Sequence, residues 1–501
     1  MSANNTLRSP SVVVVGAGMT GLLMAIKLRK AGIDDVTILE KKDNLGGTWR
    51  ENIYPGVACD IPAHMYTYSF EPNPNWSSRF AEGDEIQAYF EGVANKYGVT
   101  ERIRFNESVT KCVYDRARWT VTTSKGETLI ADFVVNCTGI LHHPAVPAIA
   151  GLDSFEGACF HTSQWDRELD LDDRRVGVIG TGSTAVQCIP ELAKVAQKLS
   201  VFQRTPQWIA PLGNKTVSGL TKRLLRAQPW LMGVLSKLNA FAIKHTFTKG
   251  VSGHRLQHAL ISLLCKSNLR FSIKDPVLRK KLTPDYQVGC KRLVINATFY
   301  PAVQQPNVDL VTEGIKEITP KGVVTQDGKT HELDALILST GFDPFAFMRP
   351  MQVYGLNGVS IDEAWANKVQ AYRSIILQDF PNFFLMLGPN TPIGNYSVIA
   401  MSEVQADYVL QLIAQWRKRD FDALNVKTEA FERFNRYVKA GMKRTAWVSG
   451  CSSWYLDKDG DPVVWPYSWD QWAKEMRTPA YEDLEKITIA ADAVLEQPIH
   501  C

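Results

Sequence analysis

The sequence predicts an α/β protein made of two doubly wound domains, the second inserted in the first, with a small helical lobe. Two glycine-rich turns, at Gly16 and Gly180, lie 164 residues apart, and each joins a hydrophobic strand to a helical pattern. A repeated strand ending, hydrophobic residues followed by Thr-Gly, lies on either side of the second turn. The length of 501 residues also exceeds what one hydrophobic core usually organises.

The first turn predicts a dinucleotide site. Val12–Val15 is a β-branched run, typical of a strand buried on both faces of a parallel sheet. Gly16, Gly18 and Gly21 follow in G-x-G-x-x-G spacing, which allows a tight turn, a close approach of a pyrophosphate and close helix packing. The next strand ends at Glu40, where a carboxylate would bind the ribose of an adenine nucleotide. A purely structural turn is the alternative.

The second turn predicts another nucleotide. A strand at Val176–Ile179 precedes Gly180 and Gly182, and Ala185 replaces the third glycine. The following strand is expected to end on Gln203 and Arg204 and not on a carboxylate. A guanidinium is a bidentate partner for a 2′-phosphate, so this nucleotide is expected to be NADP, although a solvated arginine is the alternative. Neighbouring residues expected at this cofactor are Ser183, Thr184 and Thr205.

The Thr-Gly strand endings indicate how the domains are nested. They occur at Thr138-Gly139, before the second turn, and at Thr340-Gly341, after it. A chain with one tightly bound and one diffusible nucleotide is most often a flavoprotein that takes hydride from NADPH. The expected domains are an FAD-binding domain of residues 1–150 and 335–501, and an NADP-binding domain of residues 151–334 with a helical insert at about 210–275.

Composition argues against several classes of protein. The chain is 45% apolar and 22% charged, which is typical of a globular protein. Its formal charge of +4 is small, and we expect no nucleic-acid partner. The polar N-terminus does not resemble a signal peptide, and no stretch reaches the roughly 18 apolar residues of a membrane helix, so a cytoplasmic protein is expected. We expect the apolar face of the 210–275 insert to be core more often than a membrane anchor.

The nine cysteines are scattered and form no C-x-x-C pair. This pattern argues for a reducing compartment and against a disulfide framework or a zinc site, so no metal is expected. It also argues against a flavin disulfide reductase, which shares the two nucleotide folds but requires a redox-active cysteine pair.

Two longer motifs carry a resemblance to a known family. "FEGACFHTSQWD" matches F-x-G-x-x-x-H-x-x-x-W-[PD] at Phe155, Gly157, His161, Trp165 and Asp166. "GGTWRENIYPGVACD" matches G-G-x-W-x-x-x-x-[FY]-P-G-x-x-x-D at Gly46, Gly47, Trp49, Tyr54, Pro55, Gly56 and Asp60. Over roughly residues 10–470 the chain resembles the type I Baeyer–Villiger monooxygenases of the class B flavoprotein monooxygenase family.

The resemblance implies an activity and its cofactors. NADPH would reduce FAD, the reduced flavin would capture O₂ as a C4a-peroxide, and this peroxide would attack a ketone to give an ester or lactone. The expected partners are a small apolar ketone and O₂, in a monomer or homodimer. An N- or S-oxygenating flavin monooxygenase is the main alternative, since those relatives usually carry Phe or Tyr where this chain has Trp165. A non-enzymatic nucleotide sensor is a third interpretation.

The same resemblance implies site residues. Arg292 would stabilise the negative charge of the reaction, Asp60 would orient Arg292, and Lys291 would assist Arg204. His161 would be either an acid or base near the flavin or, as we favour, a hinge residue between the domains. The segments Gly388–Val398 and 451–466 are expected to return to the flavin and to lie near the substrate entrance. Other residues expected at the cofactors are Gly47, Thr48, Trp49, Tyr66, Val109, Thr138 and Trp165.

Overall fold

A computed structural model of the chain describes residues 7–391, 396–418, 421–451, 453–461 and 463–489. Its strands are β1 (Val12–Val15), β2 (Val36–Leu39), β3 (Ile103–Arg104), β4 (Val109–Asp115), β5 (Arg118–Thr123), β6 (Thr128–Ala131), β7 (Phe133–Asn136), β8 (Ala158–His161), β9 (Arg175–Ile179), β10 (Lys198–Phe202), β11 (Ile209–Ala210), β12 (Val294–Ile295), β13 (Val308–Val311), β14 (Ile315–Thr319), β15 (Gly322–Thr325), β16 (Thr330–Glu332), β17 (Ala335–Leu338), β18 (Gln352–Tyr354), β19 (Phe383–Leu385), β20 (Ala423–Val426) and β21 (Leu484–Ile487).

Helices cover both sheets and form the insert. They are α1 (Met19–Lys30), α2 (Thr48–Glu51), α3 (Gly83–Lys96), α4 (Ser183–Val195), α5 (Gly219–Ala227), α6 (Trp230–Ile243), α7 (Lys249–Val251), α8 (Arg255–Ser272), α9 (Pro276–Lys281), α10 (Phe299–Ala302), α11 (Ile361–Ala364), α12 (Val398–Trp416), α13 (Thr428–Met442) and α14 (Trp469–Glu475). A π-helical stretch, Lys244–Thr248, connects α6 to α7. Of the helices within the described ranges, none is long and apolar enough to cross a membrane.

The first sheet has the parallel order β19-β7-β1-β2-β3. Val14 of the central strand pairs with Ile38 on one side and with Val135 on the other, and all three are fully buried. Continuous β-branched runs suit such strands because both faces of the sheet are covered, one by α1, α3 and α12 and the other by β4, β5 and β6. The carboxyl ends of these strands meet at one edge, where ligands of open α/β sheets bind.

The second sheet has the parallel order β13-β10-β9-β17-β8. Together the two sheets confirm the predicted α/β class with one doubly wound domain inserted in another. The four-stranded sheet β18-β4-β5-β6 extends the first domain, and β18 brings the chain back to it after the insertion.

One predicted domain boundary differs from the structure. The prediction assigned residues 335–501 to the first domain, but β17 (Ala335–Leu338) lies between β9 and β8 of the second sheet. The second domain therefore ends after residue 338. A hydrophobic strand ending in Thr-Gly fits either sheet, and only strand pairing distinguishes them.

The insert forms α5 to α8 as the helical pattern indicates, but its packing differs from the expectation. Ile261, Cys265 and Leu269 of α8 are buried in the core of the second domain. Many other apolar side chains of α5, α6 and α8 are exposed to solvent. The expectation that its apolar residues form core is therefore correct for one face of α8 and wrong for the opposite face.

Candidate active site

The first glycine turn leaves the N-terminus of α1 open to an anion. A Cβ on Gly21 would lie 1.9 Å from the Gly16 carbonyl oxygen, so only glycine permits this close helix packing. Gly18 is the N-cap, no side chain caps the helix, and its first turn has no acidic residue. Backbone N–H groups at such a helix start are ready donors to phosphate.

Glu40 lies beside this turn with its carboxylate fixed. The side chain is buried, its Oε2 accepts from the Ala17 N–H at 2.8 Å, and its Oε1 accepts from the Lys42 N–H at 2.9 Å. Val109 begins β4 two residues after Glu107, whose N–H donates to the Glu40 carbonyl at 2.9 Å. Glu40 is thus placed at the strand end where the sequence predicts a ribose.

A second pair of glycines closes on the first turn. The Gly46 N–H donates to the Ala17 carbonyl at 3.0 Å, and both Gly46 and Gly47 have positive φ angles, 116° and 55°. A Cβ on Gly47 would lie 3.1 Å from the Gly18 Cα. The two backbones therefore approach closely because neither carries a side chain there.

Trp49 of the short helix α2 pairs with an aromatic residue farther along the chain. Thr48 is exposed at its first position, whereas Trp49 is buried and donates from Nε1 to the Tyr66 hydroxyl at 3.1 Å. The two rings meet edge to face, with centroids 5.6 Å apart, and burial raises the pKa of Tyr66. This pair forms a rigid apolar wall that keeps its phenol protonated.

These features fit FAD. The open start of α1 suits a pyrophosphate, and Glu40 suits a ribose. In addition, the buried hydroxyl oxygen of Thr138, two residues after β7, has no hydrogen-bond partner among the described residues. A buried hydroxyl without a partner is costly unless a ligand supplies one.

Arg292 and Asp60 form the ion pair that the sequence predicts. Arg292 Nε donates to Asp60 Oδ2 at 3.0 Å, and Nη2 donates to Oδ1 at 2.9 Å and to Oδ2 at 2.7 Å. Asp60 ends the Tyr-Pro-Gly segment of the first domain, and Arg292 precedes β12 of the second. The carboxylate raises the pKa of Arg292 above its usual value. About a third of the arginine side chain stays exposed, 32% against 20% for Asp60.

Tyr455 completes this cluster. Tyr455 is buried, and burial raises its pKa to about 12. The charges of Arg292 and Asp60 also act on this pKa, Arg292 lowering it and Asp60 raising it. The sequence placed its segment near the substrate entrance without assigning a contact. Tyr455 therefore remains a neutral phenol beside a permanent guanidinium.

A disulfide that the sequence argues against lies next to this cluster. Cys290, two residues before Arg292, is bonded to Cys451, four residues before Tyr455. The bond spans 161 positions, so spacing along the chain does not reveal it. The scattered cysteines argued against a disulfide framework, and this pair departs from that expectation. The bond ties the Arg292 segment to the C-terminal segment.

Removal of this bond is expected to loosen the site. A disulfide stabilises mainly by restricting the unfolded chain, typically by roughly 2–4 kcal/mol. Cys451→Ser is expected to lower the melting temperature, whereas Cys159→Ser, at an exposed free thiol, is expected to leave it unchanged. Scanning fluorimetry compares the two. Recovery of both Cys290 and Cys451 as alkylated peptides from the unreduced protein would contradict the bond.

The second turn repeats the geometry of the first. A Cβ on Gly180, whose φ is 113°, would lie 2.3 Å from the Ser339 carbonyl oxygen. Helix α4 begins at Ser183 and Thr184 with no side-chain cap and no acidic residue in its first turn. Ala185 is fully buried, so its methyl group fills the space beside the strand.

Two cations converge near this turn. Arg204 is exposed just after β10, and Lys291 is close enough that, after burial, the Arg204 charge is the next cause lowering the Lys291 pKa. The Lys291 ammonium lies 5.2 Å from the Tyr286 ring centroid. Thr205 holds the loop, since its carbonyl accepts from the Thr181 hydroxyl at 2.8 Å. Adjacent like charges suit an anion such as a 2′-phosphate.

His161 joins the two segments that connect the domains. Its Nδ1 accepts from the Ser163 N–H at 3.2 Å, so Nε2 carries the proton and donates to the Gly341 carbonyl at 2.9 Å. That carbonyl also accepts from the Ala145 N–H at 2.9 Å. Burial lowers the pKa of His161. Both ring nitrogens are therefore engaged within the connection, and the ring is neutral.

Trp165 lies on the face of the second domain that meets the first. Trp165 is buried, and its ring meets the Phe160 ring edge to face with the centroids 5.2 Å apart. It also lines a cleft of about 650 Å³. Lys41, Arg50 and Ser163 are also in the wall of this cleft. Residues of both domains thus surround the fingerprint tryptophan.

Gln187 of α4 is a contact that sequence reasoning missed. It accepts from the Tyr54 hydroxyl at 2.8 Å and donates to the Ala58 carbonyl at 2.9 Å. A Cβ on Gly56 would lie 2.6 Å from the Gln187 carbonyl oxygen. The Tyr-Pro-Gly motif is therefore a contact between domains. Nothing in the sequence around Gln187 marks it.

The two segments predicted near the flavin and the substrate entrance are described in part. Residues 392–395, 452 and 462 lie outside the described residues. The described parts meet, since the Asn390 N–H donates to the Val463 carbonyl at 3.1 Å.

Comparisons with known proteins find similarity over most of the chain. A family model described as flavin-binding monooxygenase-like matches residues 9–439. An uncharacterised monooxygenase of Mycobacterium tuberculosis is 46% identical, covering 92% of this chain and 93% of its own. A Baeyer–Villiger monooxygenase of Streptomyces coelicolor is 40% identical, covering 93% and 90%. The structure of OTEMO in complex with FAD and NADP superposes with a TM-score of 0.86 at 28% identity, covering 95% of this chain and all of that one.

Proposed function

Because the chain belongs to the flavin-binding monooxygenase-like family, we infer that it is an FAD-containing, NADPH-dependent Baeyer–Villiger monooxygenase. It would convert a ketone, O₂, NADPH and a proton into an ester or lactone, NADP⁺ and water. The bidentate pair of Asp60 and Arg292 is the observation that carries this proposal. Product analysis with a ketone panel and labelled O₂ tests it, as described at the end of the Discussion.

Each cofactor has its own residues. Gly16, Gly18, Glu40 and Thr138 would hold FAD, and the start of α4 with Arg204 and Lys291 would hold NADPH. When bound, NADPH supplies hydride and the flavin supplies the activation of O₂ that no side chain provides. The Trp49–Tyr66 wall would exclude water from the flavin side of the site.

Arg292 would stabilise the negative charge that develops during oxygen insertion. Its guanidinium keeps its proton, since Asp60 raises its pKa further, and part of it faces solvent. A preorganised donor directed at a developing oxyanion is typically worth roughly 3–4 kcal/mol. Arg292 can point one edge at Asp60 and still present other N–H groups to a substrate carbonyl oxygen.

Asp60 would act as a positioning residue. Its two oxygens accept all three hydrogen bonds from Arg292, so the carboxylate fixes the plane of the guanidinium. A carboxylate engaged in this way is poorly suited to remove a proton from substrate. Its contribution would be the orientation of Arg292.

His161 would couple the domains. Its hydrogen bonds connect the segment entering the second domain to Gly341, on the segment leaving it. A neutral ring that is already bonded at both nitrogens would hold this connection during domain rotation. The catalytic acid or base role that the sequence left open is therefore the weaker of its two interpretations.

Replacement of His161 tests these two roles. His161→Asn is expected to lower kcat several-fold without removing FAD, because one short amide cannot bridge both segments. The pH dependence of kcat is expected to keep its shape, whereas loss of a catalytic acid or base would remove one limb. Ser163→Ala, which leaves the Gly341 bond intact, is the matched control with a smaller effect.

Oxygenation of amines or sulfides is the second candidate function. The same cofactor residues would serve it, and the Asp60–Arg292 pair with Trp165 is what favours ketones. An enzyme that gives N-oxides or sulfoxides but no ester from the ketone panel would belong to this class.

A further inference from the structure

A segment of the second domain, residues 218–274, concentrates positive charge. This basic segment contains ten Lys and Arg residues and no Asp or Glu. Its formal charge is therefore +10, while all other residues together carry −6 to give the +4 of the chain. Within the described ranges, Lys244 is the only one of these cations in a salt bridge, 2.6 Å from Asp470. Ion pairs within the described ranges therefore neutralise little of the positive charge of the basic segment.

The basic segment also exposes large apolar side chains. Of the seventeen exposed large apolar residues among those described, eleven lie in it. On α6 they follow a helical stripe with Trp230, Leu238 and Phe241, which are 65%, 59% and 62% exposed. Spacings of eight and three residues place these three side chains on one face of the helix.

Helix α8 carries a matching stripe. Leu256, Leu260, Leu263 and Phe271 lie on its solvent side, and Phe271 is 78% exposed. The opposite face of the same helix, which includes Ile261, is buried in the core of the second domain. The exposed stripe is therefore a second apolar face and not the edge of the core.

The basic segment borders the candidate site. The inner side of α6 contacts the turn Ala63–Met65, which begins three residues after Asp60. Ala240 and Ile243 of α6 pack against the core of the first domain. The exposed stripe of α6 therefore lies on one side of this helix, and the segment that follows Asp60 contacts its other side.

We propose that α5, α6 and α8 form a docking surface for the anionic face of a lipid bilayer. Exposed leucine, phenylalanine and tryptophan with interspersed Lys and Arg are the composition of helices that lie in the plane of a membrane interface. The apolar stripes would enter the boundary between headgroups and acyl chains, and the cations would contact anionic headgroups. The protein would bind the bilayer peripherally, with the Asp60 segment close to a store of apolar molecules.

The charge and the exposed apolar side chains of this surface favour a bilayer over other binding partners. A second copy would place one +10 segment against another, which disfavours symmetric pairing. A nucleic acid would bind the cations but would leave the eleven apolar side chains in water. An anionic bilayer satisfies both properties at once.

Sedimentation of the FAD-loaded protein with vesicles tests the proposal. We expect most of the protein to pellet with vesicles of phosphatidylglycerol and phosphatidylcholine, and little with phosphatidylcholine alone. Trp230→Ser combined with Leu238→Ser and Phe241→Ser is expected to reduce binding at least tenfold, as is Arg223→Glu combined with Lys237→Glu and Arg270→Glu. Ile130→Ser and Arg436→Glu, at exposed sites elsewhere, are the controls and are expected to bind like the unmodified protein.

The other outcomes overturn the proposal. Absence of binding to anionic vesicles by folded, yellow protein contradicts it, as does binding that neither set of substitutions weakens. A change in mass by light scattering on substitution of the apolar stripe, without vesicle binding, would assign the surface to a second copy. Binding to an acidic protein or nucleic acid but not to vesicles would assign it to that class. NADPH oxidation without vesicles is measured in parallel. This measurement distinguishes a failure of the proposed enzyme activity from a failure of membrane binding.

Discussion

Arg292→Ala is expected to abolish ester formation while NADPH still reduces the bound flavin. The substitution removes every donor of a guanidinium that Asp60 holds in three hydrogen bonds. Loss of a single oxyanion donor typically lowers kcat by roughly 10²–10³-fold, and the whole group is expected to exceed this. Stopped-flow reduction of the flavin and chromatography of the product measure the two steps separately.

Two further variants make this result specific. Arg292→Lys keeps the charge but cannot form the bidentate pair, so we expect it to retain only a small part of the ester yield. Arg436→Ala removes an arginine that is 69% exposed, and its activity is expected to be unchanged. Ester formation by Arg292→Ala at the unmodified rate, in protein with full flavin content, would show that Arg292 has no role in the chemistry.

Arg204→Ala is expected to raise the KM for NADPH at least tenfold and to change the KM for NADH little. Arg204 and Lys291 form a pair of like charges, and a 2′-phosphate is the part of NADPH that would neutralise them. A hydrogen bond to a charged group contributes roughly 1.5–3 kcal/mol, which corresponds to a loss of about ten- to a hundredfold in affinity.

The comparison between the two coenzymes is the control for this prediction. NADH lacks the 2′-phosphate, so damage to the fold of the second domain would impair both coenzymes equally. Lys291→Ala is expected to raise the KM for NADPH as Arg204→Ala does. Burial and the Arg204 charge disfavour the charged form of Lys291, and a bound 2′-phosphate would offset this cost. Equal effects of Arg204→Ala on NADPH and NADH would remove the phosphate assignment.

Local patterns predicted much of the fold. The strands Val12–Val15 and Val176–Ile179 occur at or within one residue of the positions that their β-branched runs indicate. Gly21 shows why a spacing of glycines is informative, because a Cβ there would overlap the Gly16 carbonyl. The Asp60–Arg292 pair was also predicted, although 232 positions separate the two residues, since each lies in a recognisable motif.

Contacts without a local pattern were not predictable. The sheet membership of β17 depends on its pairing with β9, and the Cys290–Cys451 bond depends on how two distant segments meet. The exposure of Trp230 and Phe271 could not be inferred either, because an apolar stripe looks the same whether it faces a core or solvent. Gln187 acts through a domain contact that neither strand nor helix patterns encode.

The fate of molecular oxygen tests the central claim most directly. The FAD-loaded protein is incubated with NADPH, ¹⁸O₂ and cyclic, aromatic, linear and steroid ketones, and the products are identified by mass spectrometry. The proposed function predicts an ester or lactone that contains one ¹⁸O atom and forms only when NADPH is present. NADPH consumption that yields hydrogen peroxide alone, or heteroatom oxides from amines and sulfides with no ester from any ketone, would contradict it.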